Sequence, residues 1–184
     1  MVSARADDYA RAATENACTV HGPVDAASAA AVVAALVGDA GRGVLVAIDD
    51  EAWLHELGVP GALAAAGAEL LAPPDPSWRA RIADAAVGIT AATGAVAEFG
   101  VLVLTAGAGR ARTTSLVPPR HICVVPVDRI VATLPDAFAT LIRDDLPSAV
   151  TFIGGPSRTG DLEMIVTMGV HGPIAVDVVL VAAP

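Results

Sequence analysis

Short apolar runs of strand length recur along this 184-residue chain, and helix-like segments separate several of them. The runs occupy residues 43–48, 68–71, 86–89, 101–105, 121–125, 149–153 and 174–181, with a possible further strand at 18–21. Continuous apolar strands are typical of a parallel sheet that is buried on both faces. The sequence therefore predicts an α/β fold in which helices cover both faces of a mostly parallel sheet. Asp49 and Asp50 follow one run and predict the start of a helix over residues 51–57.

Length and composition favour a single domain that spans residues 1–184. There is no internal repeat, and no linker is long enough to divide the chain. Residues 1–16 lack a firm pattern and are expected to form a helix or a loose arm. Hydrophobic residues make up 54% of the chain and aromatic residues only 3%, which suits alanine-rich helices packed closely on a sheet.

Charge and cysteine content exclude several classes of protein. The net charge of −9 argues against a nucleic-acid surface, because phosphate binding needs clustered Lys and Arg. No apolar run approaches the roughly 18 residues of a membrane span, and residues 1–16 do not resemble a signal peptide, so we expect a cytoplasmic protein. Cys18 and Cys123 form no CxxC pair and predict two reduced, buried thiols. Because an iron–sulfur cluster ordinarily takes about four cysteines, no cluster of the chain's own is expected.

Glycines, hydroxyl groups and an arginine are concentrated between Gly154 and Asp161. The polar donors there are Ser157, Arg158 and Thr159. An apolar strand precedes this turn, and the spacing of the apolar residues over 162–168 predicts a short helix after it. A glycine-rich turn at a helix start offers free N–H groups and a partial positive charge. The sequence therefore predicts a site for phosphate or carboxylate, with the guanidinium of Arg158 as a second donor.

Two alternatives to an anion site remain open at this turn. Asp161 and Glu163 would lie in the first turn of that helix and compete for the same positive field, which favours a purely structural turn. These two carboxylates and His171 are also the residue types that hold a divalent cation, but nothing in their spacing demands one.

Three further segments carry residues suited to ligand binding or proton transfer. Glu98 is an isolated carboxylate in apolar sequence, so it is either a ligand-binding or acid/base group or a helix-terminal residue that faces water. Arg110 and Arg112 lie in a glycine-containing loop, and arginine forks bind carboxylate or phosphate. His171 lies in a tight turn, whereas His121 follows two prolines at a strand start and is expected to be structural. No dinucleotide, Walker or serine-nucleophile motif is present.

The order and spacing of several blocks resemble the LUD domain, the lactate utilization protein C family, from Val87 to Val181. The blocks are residues 88–90, 97–104, 109–112, 118–122, 155–163 and 169–173. The position of Phe99 is often threonine in that family, so a hydroxyl group is missing here. The resemblance implies a fold of the NagB/RpiA/CoA-transferase type, similar also to 5-formyltetrahydrofolate cyclo-ligase. It further implies a part in bacterial oxidation of L-lactate to pyruvate, alongside partner proteins that carry iron–sulfur clusters.

These observations together lead to one prediction of function and one alternative. The chain is expected to be the cluster-free, accessory or regulatory component of such a system, with a cleft for a small anionic metabolite. The alternative is an enzyme that acts on a phosphorylated, nucleotide or acyl-carrier substrate. Glu98 and His171 are the candidate catalytic residues. The predicted ligand-binding residues are Thr90, Arg110, Arg112, Gly155, Ser157, Arg158, Thr159, Asp161 and Gly172. We expect the cleft at the carboxyl ends of the parallel strands, where open α/β sheets bind ligands.

Overall fold

The computed structural model describes residues 2–41, 43–141, 147–160, 166–168 and 171–182. The helices are α1 (Val2–Glu15), α2 (Ala26–Gly38), α3 (Ala52–Glu56), α4 (Val59–Ala65), α5 (Trp78–Arg81) and α6 (Leu134–Leu141). The strands are β1 (Thr19–Val24), β2 (Leu45–Ile48), β3 (Glu69–Leu71), β4 (Val87–Ala91), β5 (Gly94–Val96), β6 (Val101–Ala106), β7 (Arg120–Pro126), β8 (Ile130–Val131), β9 (Ala149–Ile153), β10 (Arg158–Gly160), β11 (Val166–Met168) and β12 (Ala175–Val181). Among the described residues, no helix is long and apolar enough to cross a lipid bilayer.

A six-stranded sheet forms the centre of the molecule. Its strand order is β1-β12-β7-β4-β2-β3, and every neighbouring pair in it is parallel. Helices α2, α3 and α4 cover one face, where Val33, Leu54 and Leu63 pack with Ile122 and Val179 of the sheet. The continuous apolar runs are therefore explained by strands buried on both sides, and the predicted α/β fold is confirmed.

A second sheet and helix α1 cover the other face. Tyr9 of α1 and Leu102 of β6 pack there with Val125 and Val178 of the central sheet. The second sheet has the order β8-β5-β6-β9, and β6 runs antiparallel to both β5 and β9. The turn over residues 97–100 explains this arrangement, because so short a connection joins only antiparallel strands. The N-terminal segment, left open as a helix or a loose arm, is the helix α1.

The connection between β6 and β7 lies directly on the central sheet. We call residues 107–119 the crossover loop. An added Cβ atom at Gly88 of β4 would lie 1.9 Å from the main-chain oxygen of Thr114, so only glycine allows this close approach. At the carboxyl end of β2, the N–H group of Asp50 donates to the carbonyl of Gly109 over 2.8 Å. The crossover loop therefore takes the place of a covering helix.

The helix predicted over residues 162–168 is wrong where the structure describes it. Val166–Met168 is the strand β11, which pairs antiparallel with β10. Residues 161–165 lie outside the described residues. Val166 and Thr167 are β-branched and favour extended backbone, a local preference that outweighs the helical spacing of the apolar side chains. The described part of this segment therefore offers no helix N-terminus with its partial positive charge.

Candidate functional site

Five of the predicted site residues line one cleft with a volume of about 330 Å³. These residues are Arg112, Gly155, Ser157, His171 and Gly172. Ser115 and Thr151 add hydroxyl groups, whereas Phe152 and Val176 contribute apolar surface. The cleft thus combines a cation, hydroxyl donors, an imidazole and an apolar wall.

Backbone contacts hold the two glycine-containing loops of the cleft together. The N–H group of Ser157 donates to the carbonyl of Pro173 over 2.8 Å. Gly172 lies against the side chain of Ser157. Gly155 has a φ of +127°, and a Cβ atom there would lie 2.3 Å from the carbonyl oxygen of Asn16. Gly155 therefore lies where the chain passes close to the end of α1, and its backbone has a positive φ that favours glycine.

Arg158 does not line the cleft. Its side chain is exposed, and its guanidinium donates to the carbonyl oxygen of Asn16. The side-chain amide of Asn16 in turn donates to the carbonyl of Phe99 over 2.7 Å. Asn16 therefore links the end of α1 to both the Gly154–Arg158 turn and the β5–β6 turn. The cation that the structure places in the cleft is Arg112.

Glu98 is exposed on the β5–β6 turn and does not line the cleft either. Its main-chain N–H group donates to the carbonyl of Ala132 over 3.1 Å. Thr159 pairs with Thr167 in the β10–β11 hairpin. Asp161 and Glu163 lie outside the described residues. Within the part of the chain that the structure describes, no group of three or more His, Cys, Asp or Glu side chains is placed to hold a metal ion.

The cleft lies near the amino ends of β7 and β12, whereas the sequence predicted a functional cleft at the carboxyl ends of the parallel strands; the position of the ligand stays a prediction. His171 precedes β12, and the N–H group of Ile174 donates to the carbonyl of Pro119, just before β7. Asn16 precedes β1 and joins the turns at Phe99 and Arg158 to the same end. The rule for open α/β sheets relies on helix N-termini after each strand. Here the crossover loop and the turns before and after the β10–β11 hairpin line the cleft.

A polar recess continues from the cleft toward the carboxyl end of β2. Arg112, Ser115 and Thr151 line both cavities. The recess has a volume of about 20 Å³ and is lined further by Asp49, Thr90, Thr105 and Arg110. Two more predicted residues, Thr90 and Arg110, are thereby connected to the cleft.

Asp49 is the site residue that sequence reasoning missed. It is 5% exposed and does not cap a helix, because the residue that precedes α3 is Glu51. Its Oδ1 atom accepts from the hydroxyl of Thr114 over 2.6 Å and from the N–H group of Ala111 over 3.3 Å. Burial raises the pKa of Asp49 to about 7, because these hydrogen bonds only partly offset desolvation. Two carboxylates directly after a buried strand were the available signal.

The buried groups beside the recess are neutral. The Oγ1 atom of Thr90 lies 2.9 Å from Nε2 of His121 and 3.5 Å from Sγ of Cys123. Burial lowers the pKa of His121 to about 4 and raises the pKa of Cys123 to about 12. Burial likewise raises the pKa of Cys18 to about 11. Both thiols are free and buried, as expected, and at neutral pH neither is a thiolate nucleophile.

Comparison with known proteins assigns the chain to a family. The LUD domain model matches residues 6–181. A lactate utilization protein C of Exiguobacterium sp. is 45% identical over 100 residues, which cover 52% of this chain and 44% of that protein. Another, of Deinococcus radiodurans, is 32% identical over 163 residues, or 86% of this chain and 71% of the relative. The alignment with the first relative thus covers less than half of that relative's length.

A solved structure has the same fold as this chain. The crystal structure of a DUF162 family protein from Deinococcus radiodurans superimposes with a TM-score of 0.71. The superposition covers 98% of each chain at 24% sequence identity. The resemblance that the sequence blocks suggested is confirmed by the match over residues 6–181. The chain belongs to the LUD domain family.

Proposed function

We propose that this protein takes part in bacterial oxidation of L-lactate to pyruvate as the component without an iron–sulfur cluster of its own. In this role it binds a small carboxylate in the cleft and supports partner proteins that carry the clusters. The names of its relatives, lactate utilization protein C, support the process. The chemistry of the cleft supports the ligand class.

Arg112 in the cleft is the observation on which this proposal rests. It lines both the cleft and the recess, and no carboxylate among the described residues lies within ion-pair distance of it. Arg110, by contrast, lies 3.9 Å from Glu51. A guanidinium fork binds a carboxylate through two parallel hydrogen bonds. Val176 and Phe152 offer apolar surface for the methyl group of a three-carbon acid.

A second candidate function is an enzyme that acts on a phosphorylated, nucleotide or acyl-carrier substrate. The volume of the cleft favours it, because about 330 Å³ falls within the range of pockets for drug-sized ligands. His171 in the cleft is also a suitable proton-transfer group for such a reaction.

Calorimetric titration of the purified protein with lactate, pyruvate, nucleotides, sugar phosphates and CoA esters tests both candidates. We expect the three-carbon acids to bind, and Arg112→Gln to weaken them by roughly ten- to a hundredfold through the lost charge-assisted contact. Arg11→Gln is the matched control, because Arg11 is exposed on α1 and pairs with its helix neighbours Asp8 and Glu15, away from the cleft. It should bind as the parent does.

Three results would contradict the proposal. If no acid binds, or if Arg112→Gln binds like the parent, the cleft is not a carboxylate site. If Arg158→Gln weakens binding and Arg112→Gln does not, the ligand lies on the Gly154–Arg158 turn instead. Binding of nucleotides or CoA esters alone would favour the enzyme.

A further inference from the structure

Asp49 presents one carboxylate oxygen to the recess without a protein partner. Both of its side-chain hydrogen bonds fall on Oδ1, from Thr114 and Ala111. Its Oδ2 atom accepts no hydrogen bond from any residue that the structure describes. The carboxyl group is fixed by these bonds, and the main chain of Asp49 is held by its own N–H group, which donates to the carbonyl of Ile89 over 3.0 Å, so its free oxygen has a defined position.

We propose that Asp49 determines the specificity of the cleft by accepting a hydrogen bond from the hydroxyl group of a 2-hydroxy acid. The site then prefers the hydroxy acid to the corresponding 2-oxo acid, which has no proton to donate there. This inference rests on the proposed function, in which Arg112 binds the carboxylate of the same ligand.

The size and the position of the recess support this role. A volume of about 20 Å³ holds one water molecule or one hydroxyl group, and no larger part of a ligand. Arg112, Ser115 and Thr151 form walls of both the recess and the cleft. A ligand whose carboxylate contacts Arg112 therefore lies beside the entrance of the recess, and a substituent on its second carbon is the group next to Asp49.

Two of the hydroxyl groups that line the recess already have partners. The hydroxyl of Thr90 bonds His121, and the hydroxyl of Thr105 lies 2.8 Å from that of Thr93. The Oδ2 atom of Asp49 is therefore the carboxylate oxygen at the recess that is left to accept from a ligand hydroxyl group.

The charge on Asp49 makes the preference depend on pH. Glu51, Arg110 and Arg112 are the charged groups around the recess, and Cys123 of β7 is protonated. With a pKa of about 7, Asp49 is ionised at pH 8 and protonated at pH 5.5. The ionised form accepts from a hydroxyl group, whereas the protonated form donates to a keto oxygen. The preference for lactate over pyruvate should therefore rise as the pH rises through 7.

Calorimetric titration with lactate and with pyruvate at pH 5.5 and pH 8 measures this preference. At pH 8 we expect the parent protein to bind lactate about tenfold more tightly than pyruvate. Asp49→Asn should lose the tenfold preference at pH 8 and show the same ratio at both pH values, because the amide keeps the bond from Thr114 but presents NH₂ to the ligand. The matched control is Asp50→Asn, since Asp50 is exposed and bonds His55. It should keep the preference.

The outcomes separate this inference from the proposed function. If neither acid binds the parent protein, the proposed function fails and this inference fails with it. If both acids bind through Arg112 with equal affinity at pH 8, or if Asp49→Asn keeps the preference, only the specificity role of Asp49 is overturned. The pH dependence of the parent protein needs no variant, so an Asp49→Asn protein that does not fold leaves the test intact. A preference that is the same at both pH values would overturn the inference.

Discussion

Gly155 connects the backbone of the cleft to the end of α1. Its φ of +127° is a conformation that side-chain-bearing residues rarely adopt, and the carbonyl of Asn16 occupies the space of a Cβ atom. Two costs therefore oppose any other residue at this position. The same carbonyl accepts a hydrogen bond from the guanidinium of Arg158. The end of α1 therefore contacts the turn at Gly155 and at Arg158, on both sides of Ser157.

We therefore expect Gly155→Ala to destabilise the protein by about 1 to 3 kcal/mol in urea unfolding and to weaken ligand binding in the cleft. The matched control is Gly154→Ala, where φ is not in the left-handed region and the nearest contact of a Cβ atom is the Val101 side chain at 3.3 Å. It should cost less than about 1 kcal/mol. Equal losses from the two variants would show that the left-handed backbone at Gly155 is not required.

Some predicted site residues from separate loops come together in the structure, although their binding role stays a prediction. Arg112, Ser157 and His171 were each expected to face a ligand from residue type and local glycine content, and all three line the cleft. Arg158 was expected there too, but its side chain reaches Asn16, a contact between positions far apart in the sequence. Asp49 was interpreted as a helix start, because its burial depends on the crossover loop that covers it.

Local sequence pattern predicts the individual strands and helices better than it predicts which strands share a sheet. The apolar runs at β6 and β9 predict strands correctly, yet nothing in their composition assigns them to a second sheet. The four-residue turn before β6 carries that information, since it permits only antiparallel pairing. The segment after β10 satisfies both a helical spacing and a β-branched composition, and the pairing partner β10 decides between them.

Arg120 joins three elements at the amino end of the central sheet. Its Nε atom donates to Asp177 of β12 over 2.7 Å, and its Nη1 atom donates to the carbonyl of Leu36 in α2 over 2.7 Å. His21 of β1 lies 2.9 Å from the same carboxylate. Burial alone would raise the pKa of Asp177, but the hydrogen bonds from Arg120 and His21 outweigh burial and lower it.

We expect Arg120→Met to destabilise the protein by about 3 kcal/mol at pH 7, because it leaves a buried carboxylate short of a partner. The folded-state pKa of Asp177 is depressed, so this stabilisation is present above the ordinary pKa of aspartate and is lost as the pH falls through the folded-state value. The penalty measured by thermal unfolding should therefore shrink in acid. Arg11→Met, which removes an exposed pair, should cost about 0.5 kcal/mol or less. A penalty for Arg120→Met that does not change with pH would contradict this account.

At the scale of the whole molecule, the cleft and the recess lie between the two sheets. The crossover loop lies on one side of them and β9 on the other, so Arg112 and Thr151 face the same space from different elements. The central sheet and the helices α2 to α4 contribute the rigid base. None of the predicted ligand-binding residues that the structure describes lies on the α2 side of the sheet.

Growth of a strain whose own copy of this gene is deleted tests the function of the whole protein. We expect the parent gene to restore growth on L-lactate and Arg112→Gln to restore it poorly, with Arg11→Gln as the matched control. All strains should grow equally on succinate, which bypasses the step. Full growth with Arg112→Gln would show that lactate oxidation does not need the cleft.

The purified chain alone should not reduce a dye with lactate, because in the proposed role the cluster-carrying partners transfer the electrons. Turnover by the isolated chain would instead favour the enzyme and would contradict the accessory role.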